Sequence, residues 1–169
     1  MKLFLIGLLG SGKSVLGKEL SEILKLPFID LDHTIELKEG ANVSEIFSAK
    51  GEKKFRIIEA AVLREQSKQN EFVMATGGGA PCYHDNMTFI NQTGTSVFLN
   101  TPVSEIAKRL QGEQRKSRPL LANVPDEQLQ PALQAILDSR LEFYSKANLL
   151  VSGPSITAKK VLDLLEFRK

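Results

Sequence analysis

Short apolar runs recur along the chain, and polar stretches with helical periodicity separate them. The runs lie at residues 3–6, 27–29, 72–75, 97–99 and 149–151. Short runs of this kind are typical of strands that are buried on both faces, and their alternation with helices predicts a parallel sheet covered on both sides. The pattern therefore predicts an α/β fold with three α/β/α layers and a five-stranded parallel sheet.

Several helix starts are marked by capping residues. Asn42 stands three residues before a glutamate, which is the pattern of a capping box. Thr101 before Pro102 predicts a cap followed by a proline in the first helical turn. Asp126 and Thr157 are predicted to open the last two helices.

The residues that follow the first apolar run read Gly-Leu-Leu-Gly-Ser-Gly-Lys-Ser, from Gly7 to Ser14. This G-x-x-x-x-G-K-S spacing, between a strand and a helix predicted from Lys13 to Leu24, is typical of a phosphate-binding loop. The glycines let backbone N–H groups turn towards phosphate, Lys13 adds positive charge, and Ser14 offers a hydroxyl to Mg²⁺. We therefore predict that the chain binds a nucleoside triphosphate. The alternative, a glycine-rich turn with a chance lysine, is disfavoured by the flanking strand and helix.

The composition limits the number of domains, the kinds of partner and the cellular compartment that we expect. A chain of 169 residues with 42% hydrophobic content predicts a single domain, residues 1–169. The net charge of +2 comes without a long basic block, so no nucleic-acid partner is expected. No apolar stretch approaches the roughly 18 residues that cross a bilayer, so no membrane partner is expected either. Cys82, the one cysteine, has no internal disulfide partner and is interpreted as an incidental thiol in a reducing, cytoplasmic compartment.

Acidic side chains follow the second apolar run, at Asp30 and Asp32. In open parallel sheets, ligands bind beyond the carboxyl ends of the strands. On an extended chain these two side chains would point the same way, one towards metal-bound water and the other towards an acceptor hydroxyl. The alternative is a pair of solvated carboxylates that cap the next helix. The nearby phosphate loop favours the first interpretation.

The triple glycine and the Arg56–Glu59 pair can each be explained by structure alone or by a function. Gly77, Gly78 and Gly79 follow the third run and would allow close approach of a small polar ligand, unless they form a plain turn. Arg56 and Glu59 are three residues apart in a helical stretch and form either a surface ion pair or a guanidinium held ready for a carboxylate. Spacing alone does not decide between them.

The segment from Gly112 to Pro125 contains prolines and few periodic apolar positions, which predicts a mobile surface loop. Arg118 in this segment would bring positive charge to the γ-phosphate when water is excluded. Arg140 lies on the following helix, one turn before Tyr144. A solvated helix face is the alternative for Arg140.

In order and spacing, these motifs resemble the shikimate kinase family over nearly the whole chain. The matching motifs are Gly7–Ser14, Asp30-x-Asp32, Gly51-Glu52-x-x-Phe55-Arg56-x-x-Glu59, Gly77–Gly79, Arg118-Pro119-Leu120-Leu121 and Arg140-x-x-x-Tyr144. The resemblance implies a nucleoside-monophosphate-kinase-like fold with a substrate-binding helical region at about 32–60 and a lid at about 112–125. It also implies ATP-dependent phosphorylation of the shikimate 3-hydroxyl on the route to chorismate and aromatic amino acids, with ATP and Mg²⁺ as cofactors. A monomer is expected.

The resemblance also implies roles for individual residues. Lys13, Asp32 and Arg118 would be catalytic, and Ser14 and Asp30 would hold Mg²⁺. The substrate would be bound by Asp32, Arg56, Gly77, Gly78, Gly79 and Arg140, with Glu59 positioning Arg56. The nucleotide would contact Gly10, Ser11, Gly12, Lys13, Ser14, Val15, Arg109, Arg118 and Ser155.

The chain departs from the family pattern at Val15, where many relatives carry a second hydroxyl that contacts the α-phosphate. Two other functions share part of the pattern. A kinase for another small molecule, such as gluconate, would also use the phosphate loop and an acceptor aspartate, but Arg56 and Arg140, together with the triple glycine, favour shikimate. A nucleotide-dependent switch or binding module is the other alternative. The guanine-reading Asn-Lys-x-Asp segment is absent after the fourth apolar run, where Asn100-Thr101-Pro102 stands.

Overall fold

The computed structural model describes residues 1–110 and 119–166. Five parallel strands form one sheet in the order β2-β3-β1-β4-β5, which confirms the predicted α/β class and sheet. In chain order the elements are β1 (Lys2–Ile6), α1 (Lys13–Leu24), β2 (Phe28–Asp30), α2 (Leu31–Glu39), α3 (Val43–Gln66), β3 (Phe72–Ala75), α4 (Asn86–Thr93), β4 (Thr95–Asn100), α5 (Val103–Arg109), α6 (Leu129–Tyr144), β5 (Leu149–Ser152) and α7 (Ala158–Glu166). Short 3₁₀ helices lie at Ala80–Cys82 and Asp126–Gln128.

The central strand β1 shows why the apolar runs are nearly continuous. Leu3 and Leu5 pack with α1 and α7, whereas Phe4 and Ile6 pack on the opposite face with α3 and α4. All four side chains are fully buried, because a strand covered on both faces has no polar face. Full burial of a side chain of this size stabilises the fold by about 1.5–3 kcal/mol. One apolar cluster therefore lies on each face of the sheet, between the sheet and a helical layer, as expected for three layers.

Two of the predicted helix caps are present. The Asn42 side chain accepts a hydrogen bond from the backbone N–H of Glu45 at 2.9 Å, and the Glu45 carboxylate accepts the N–H of Asn42 at 2.8 Å. Thr157 precedes α7, and its hydroxyl oxygen accepts the N–H of Lys160 at 3.4 Å. The capping-box prediction at the start of α3 is therefore confirmed.

Two other predicted helix starts are wrong. Thr101 does not cap α5, because its hydroxyl donates to the backbone oxygen of Ser11 at 3.0 Å and Pro102 takes the N-cap position instead. Asp126 opens only a 3₁₀ turn, and α6 begins at Leu129. In the first case a contact across the fold outweighs the local capping preference.

Within the described end of the predicted lid, residues 119–125, one side chain is fully buried and the others are partly or fully exposed. Leu121 is fully buried in an apolar cluster with Ile106, Leu110 and Leu133. The rest of the predicted lid, which includes Arg118, lies outside the described residues. None of the helices within 1–110 and 119–166 is long and apolar enough to cross a membrane.

Candidate active site

The phosphate loop follows β1 at the centre of the sheet. Gly7, Gly10 and Gly12 have φ angles of 143°, 75° and 99°, a region that side chains disfavour. In the part of the chain described, no side chain caps α1, which begins at Lys13. The first N–H groups of this helix therefore remain available to an anion, and the helix dipole favours negative charge at the same place.

The Lys13 side chain lies across this loop. Its ammonium group donates to the backbone oxygens of Gly7 at 3.0 Å and Leu8 at 2.9 Å, and the residue is buried. A compact ammonium group with rotatable donors can exchange these carbonyl oxygens for phosphate oxygens. The lysine is thus held over the loop where the predicted β/γ contact would form.

Asp30 caps the next helix, as one of the two alternatives predicted, and it also contacts the phosphate loop. Its carboxylate accepts a hydrogen bond from the Ser14 hydroxyl at 2.6 Å and another from the backbone N–H of His33 at 3.3 Å. It therefore caps α2 and also faces the phosphate loop. The expectation that Asp32 shares an extended chain with Asp30 is wrong, because α2 begins at Leu31 and Asp32 lies in its first turn.

A cleft of about 510 Å³ joins the phosphate loop to the ends of the neighbouring strands. Its lining includes Asp30, Asp32, Thr76, Gly78 and the whole segment 9–16. This brings together the residues that follow β1, β2 and β3, as the sheet topology predicted. The size suits a nucleotide with a small acceptor beside it.

The predicted nucleotide contacts beyond the loop differ in position. Arg109 lines the cleft and donates to the backbone oxygens of Gly10 at 3.4 Å and Pro154 at 3.3 Å. Val15 also lines the cleft, where its side chain is 76% exposed. Ser155 does not line it; the next residue, Ile156, does.

A smaller pocket adjoins the cleft on the side of α2 and α3. Its lining combines charged groups and glycines with apolar side chains, among them Phe47, Phe55 and Leu120. The predicted substrate residues all line this pocket: Asp32, Arg56, Gly77, Gly78, Gly79 and Arg140. The chain thus builds an acceptor pocket beside the nucleotide cleft.

Arg56 and Glu59 form a buried ion pair rather than a surface pair. Only 5% of Arg56 and 0% of Glu59 is exposed, and Arg56 Nη1 donates to Glu59 at 2.9 Å. Arg56 Nε and Nη2 donate to Glu52 at 3.2 and 3.0 Å. Removing one partner from a buried pair of this kind costs about 3–5 kcal/mol. The guanidinium is therefore held firmly within the pocket wall.

Burial raises the pKa of Glu59 to about 7, and the Arg56 guanidinium opposes part of this rise. The second carboxyl oxygen, Oε1, has no hydrogen-bond partner among the described residues. It lies 2.6 Å from the position that a Cβ atom on Gly77 would occupy. A buried acceptor without a partner is costly, which points to a polar ligand in the pocket.

The triple glycine is more than a plain turn, because side chains from three elements press against it. A Cβ atom on Gly79 would lie 2.5 Å from Arg56 Nη2, and one on Gly78 would lie 3.1 Å from Arg140 Nη1. A Cβ atom on Gly77 would lie 2.7 Å from the Asp32 carboxylate. The absence of side chains here lets both guanidinium groups reach the pocket.

Arg140 is also buried, so the solvated-face alternative is wrong. One helical turn later, Tyr144 donates its hydroxyl to the backbone oxygen of Gly78. Burial raises the pKa of Tyr144 to about 12, so the phenol stays neutral and remains a donor. α6 therefore supports the triple glycine and also supplies the second arginine.

The sequence analysis missed three contacts at the edge of this site. Thr101 bonds to the phosphate loop, and Tyr83 and Glu52 contact Arg56 from the solvent side. The four-residue spacing between Glu52 and Arg56 is a helical signal that could have been used. The positions of Thr101 and Tyr83 depend on long-range packing, for which the sequence pattern offers no signal.

The fold and these two pockets together define a P-loop kinase of the class that phosphorylates a small molecule. The family profile described as "Shikimate kinase" matches residues 9–166. The chain belongs to the shikimate kinase family, as the resemblance of its motifs indicated.

Individual relatives agree with this assignment. The chain is 43% identical to a shikimate kinase of Parabacteroides distasonis, over 96% of this chain and 94% of the relative. The crystal structure of shikimate kinase from Bacteroides thetaiotaomicron has a TM-score of 0.91 and 36% identity, with 98% of each chain covered. A shikimate kinase from Acinetobacter baumannii, solved in complex with shikimate, has the same TM-score and identity and covers 99% of this chain and 94% of its own.

Proposed function

We propose that this chain transfers the γ-phosphoryl group of ATP to the 3-hydroxyl of shikimate, producing shikimate 3-phosphate and ADP. The observation that carries the proposal is the pair of buried guanidinium groups, Arg56 and Arg140, at the triple glycine beside the phosphate loop. Planar guanidinium groups suit a substrate carboxylate, which gluconate and shikimate share, but the small apolar-walled pocket favours a compact ring. The relative solved with shikimate bound supports the same substrate.

The nucleotide end of the proposed site acts through the backbone. The N–H groups of Gly10–Ser14 would surround the β-phosphate, and Lys13 would place its charge where the bridging oxygen develops charge. Arg109 would contact the nucleotide further along the cleft. Phosphoryl transfer has a loose transition state, so positioning and electrostatic stabilisation account for most of the catalysis.

Ser14 and Asp30 would hold Mg²⁺, and their oxygen atoms fit this ion. The Ser14 hydroxyl lies 2.6 Å from the Asp30 carboxylate, so two hard oxygen donors already converge at the end of the loop. Protein magnesium sites of this kind use few side chains together with phosphate oxygens and water. When bound, the ion would neutralise charge on the transferring phosphate.

The acceptor end of the proposed site acts through side chains. Arg56 and Arg140 would bind the substrate carboxylate, and Asp32 would accept a hydrogen bond from the attacking hydroxyl and orient it towards the γ-phosphate. Glu59 would keep Arg56 in place. Because a loose transition state needs little assistance from a base, orientation is the main role proposed for Asp32.

Other parts of the proposal rest on the sequence. Arg118 would bring charge to the transferring phosphate from the lid. The chain would act as a monomeric, single-domain enzyme in the cytoplasm, without nucleic-acid or membrane partners.

The test is an assay of ADP release with ATP and Mg²⁺, with shikimate, gluconate or no acceptor. We expect turnover that requires shikimate and a KM for shikimate that rises at least tenfold in the Arg56→Ala variant. Lys54→Ala removes an exposed cation from the same helix and should leave that KM unchanged. Turnover with gluconate alone, or ADP release that needs no acceptor, would contradict the proposal.

A further inference from the structure

The guanidinium of Arg56 is covered on its solvent side by Tyr83. The ring centroid of Tyr83 lies 4.6 Å from Arg56 Cζ, nearer than the ring of Phe47 at 5.5 Å or Phe55 at 5.3 Å. Tyr83 follows the short 3₁₀ helix that leaves the triple glycine, and its side chain is only partly exposed. An aromatic face this close to a guanidinium attracts the cation and restricts the plane of the group.

The hydroxyl of Tyr83 reaches the same group through Glu52. It donates to Glu52 Oε1 at 3.2 Å, the oxygen that also accepts from Arg56 Nε and Nη2. One carboxylate oxygen therefore ties together the tyrosine hydroxyl and one edge of the guanidinium.

This arrangement decides which donors of Arg56 remain for a ligand. A guanidinium carries five N–H donors in a fixed plane. Within 1–110 and 119–166, Glu52 takes the one on Nε and one on Nη2, and Glu59 takes one on Nη1. One donor on each Nη atom is left, and the triple glycine lies against that end of the group.

We propose that Tyr83 is a positioning residue which, with Glu52, forms an outer clamp that turns the Nη end of Arg56 towards the acceptor pocket. The clamp sets the affinity for a planar carboxylate on the acceptor and has no part in nucleotide binding. This inference rests on the proposed function, in which Arg56 binds that carboxylate.

The clamp is distinct from the Glu59 contact. Glu59 neutralises Arg56 from inside the protein, whereas Tyr83 and Glu52 are partly exposed and screened by water. Their direct attraction is therefore small, and their effect comes from restricting the orientation of a buried group before the substrate arrives. Reduced orientational freedom improves affinity without any new contact to the ligand.

The experiment compares Tyr83→Ala and Tyr83→Phe with the unaltered chain. We expect the alanine variant to raise the KM for shikimate about fivefold, the cost of restoring orientational freedom to one side chain, with kcat and the KM for ATP unchanged. The phenylalanine variant keeps the ring and should recover most of the loss. Phe143→Ala removes an aromatic at the end of α6 that stacks on Lys146 and should leave all three constants unchanged.

The methyl ester of shikimate distinguishes a loss of Arg56 orientation from a general structural effect of the substitution. Since the ester lacks the charged carboxylate, Tyr83→Ala should change its kcat/KM by less than twofold. An equal loss for shikimate and its ester would overturn the proposal, as would an unchanged KM for shikimate.

Two further variants keep the test decisive. If Tyr83→Ala fails to fold, Glu52→Gln alters the other half of the clamp and should raise the KM for shikimate by a similar factor; an unchanged KM would overturn the proposal. Arg56→Ala tests the proposed function itself. A large effect of Arg56→Ala with none from Tyr83 or Glu52 would leave the proposed function in place and refute the clamp.

Discussion

The nucleotide end and the acceptor end of this site are built from different parts of the chain. The nucleotide end is a short continuous segment, Gly7–Ser14, whose working groups are backbone N–H groups set by glycines with positive φ. The acceptor end collects side chains from α2, α3, the triple glycine and α6, which lie up to 108 residues apart, from Asp32 to Arg140. One end depends on local backbone conformation, and the other depends on the packing of distant helices.

This difference predicts different responses to substitution. A site built from the backbone is damaged by a side chain that the local conformation cannot accept, and such a substitution lowers the free energy of unfolding. A side-chain-built site is damaged when one guanidinium turns away, and the characteristic loss is in substrate affinity. The following substitutions are chosen to separate the two.

The largest effect is expected from Lys13→Met. Methionine is similar in length but has no charge, and we expect kcat to fall about 10²- to 10³-fold, the usual scale for removing one preorganised donor. Calorimetry should show shikimate binding unchanged, because the Lys13 ammonium lies over the phosphate loop, where it donates to the backbone oxygens of Gly7 and Leu8. Loss of shikimate affinity in this variant would mean that the two ends are not independent.

A pair of glycine substitutions tests the comparison directly. Gly79 has a φ of −87°, so alanine is allowed there, but its Cβ atom would meet the Arg56 guanidinium at 2.5 Å. We expect Gly79→Ala to raise the KM for shikimate about 10- to 100-fold, the loss of a charged hydrogen bond.

Gly7→Ala is the counterpart at the nucleotide end. The φ of Gly7 is 143°, and a Cβ atom there would lie 2.8 Å from the backbone oxygen of Leu99. We expect a loss of about 1–3 kcal/mol in the free energy of unfolding, measured in urea. If Gly7→Ala were harmless to stability and Gly79→Ala severe, the assignment of strain to the nucleotide end would be wrong.

The same difference explains what the sequence could predict. The phosphate loop was predictable because its chemistry lies in eight consecutive residues flanked by a strand and a helix. The parallel sheet and the three layers followed from the apolar runs and the rules for parallel sheets, whereas the strand order comes from the structure. At the acceptor end the residue types were visible, but their burial was not, because only tertiary packing removes Arg56 and Arg140 from water.

Errors concentrated where one residue had two possible partners. Thr101 has the type and position of a helix cap, yet its hydroxyl is used across the fold by the phosphate loop. Asp32 was expected on an extended chain. In the structure, β2 ends at Asp30 and α2 begins at Leu31, so Asp32 is helical. A local pattern cannot weigh a long-range hydrogen bond against a short-range one, since both satisfy the same polar group.

The third prediction concerns the pH dependence of stability at the acceptor end. Glu59 has a pKa of about 7 in the folded chain because of burial, well above its ordinary value. A raised folded pKa means that the stabilising contribution is fully present below the ordinary pKa and is lost as pH rises through 7. We expect the free energy of unfolding of the unaltered chain to fall relative to Glu59→Gln by about 2 kcal/mol between pH 5 and pH 8.

Urea unfolding of both chains across this range provides the measurement. Glutamine does not titrate, so the difference between the two curves isolates Glu59. A difference that is flat with pH, or one that grows in favour of the unaltered chain at high pH, would mean that Arg56 keeps the carboxylate charged throughout.

The smallest effect is expected from Thr101→Val, which removes one hydrogen bond to the phosphate loop without changing the shape of the side chain. The bond joins Thr101, the residue after β4, to the backbone oxygen of Ser11 at 3.0 Å, and both residues are buried. We expect a loss of about 1 kcal/mol in stability and a KM for ATP that rises about two- to fivefold, with the KM for shikimate unchanged. Thr93→Val is the matched control, because its hydroxyl bonds only to Phe89 within α4, away from both pockets. If the two variants lose similar stability but only Thr101→Val weakens ATP binding, the Thr101 hydrogen bond holds the loop in its binding conformation. If neither variant changes the KM for ATP, the glycine backbone alone keeps the loop in that conformation.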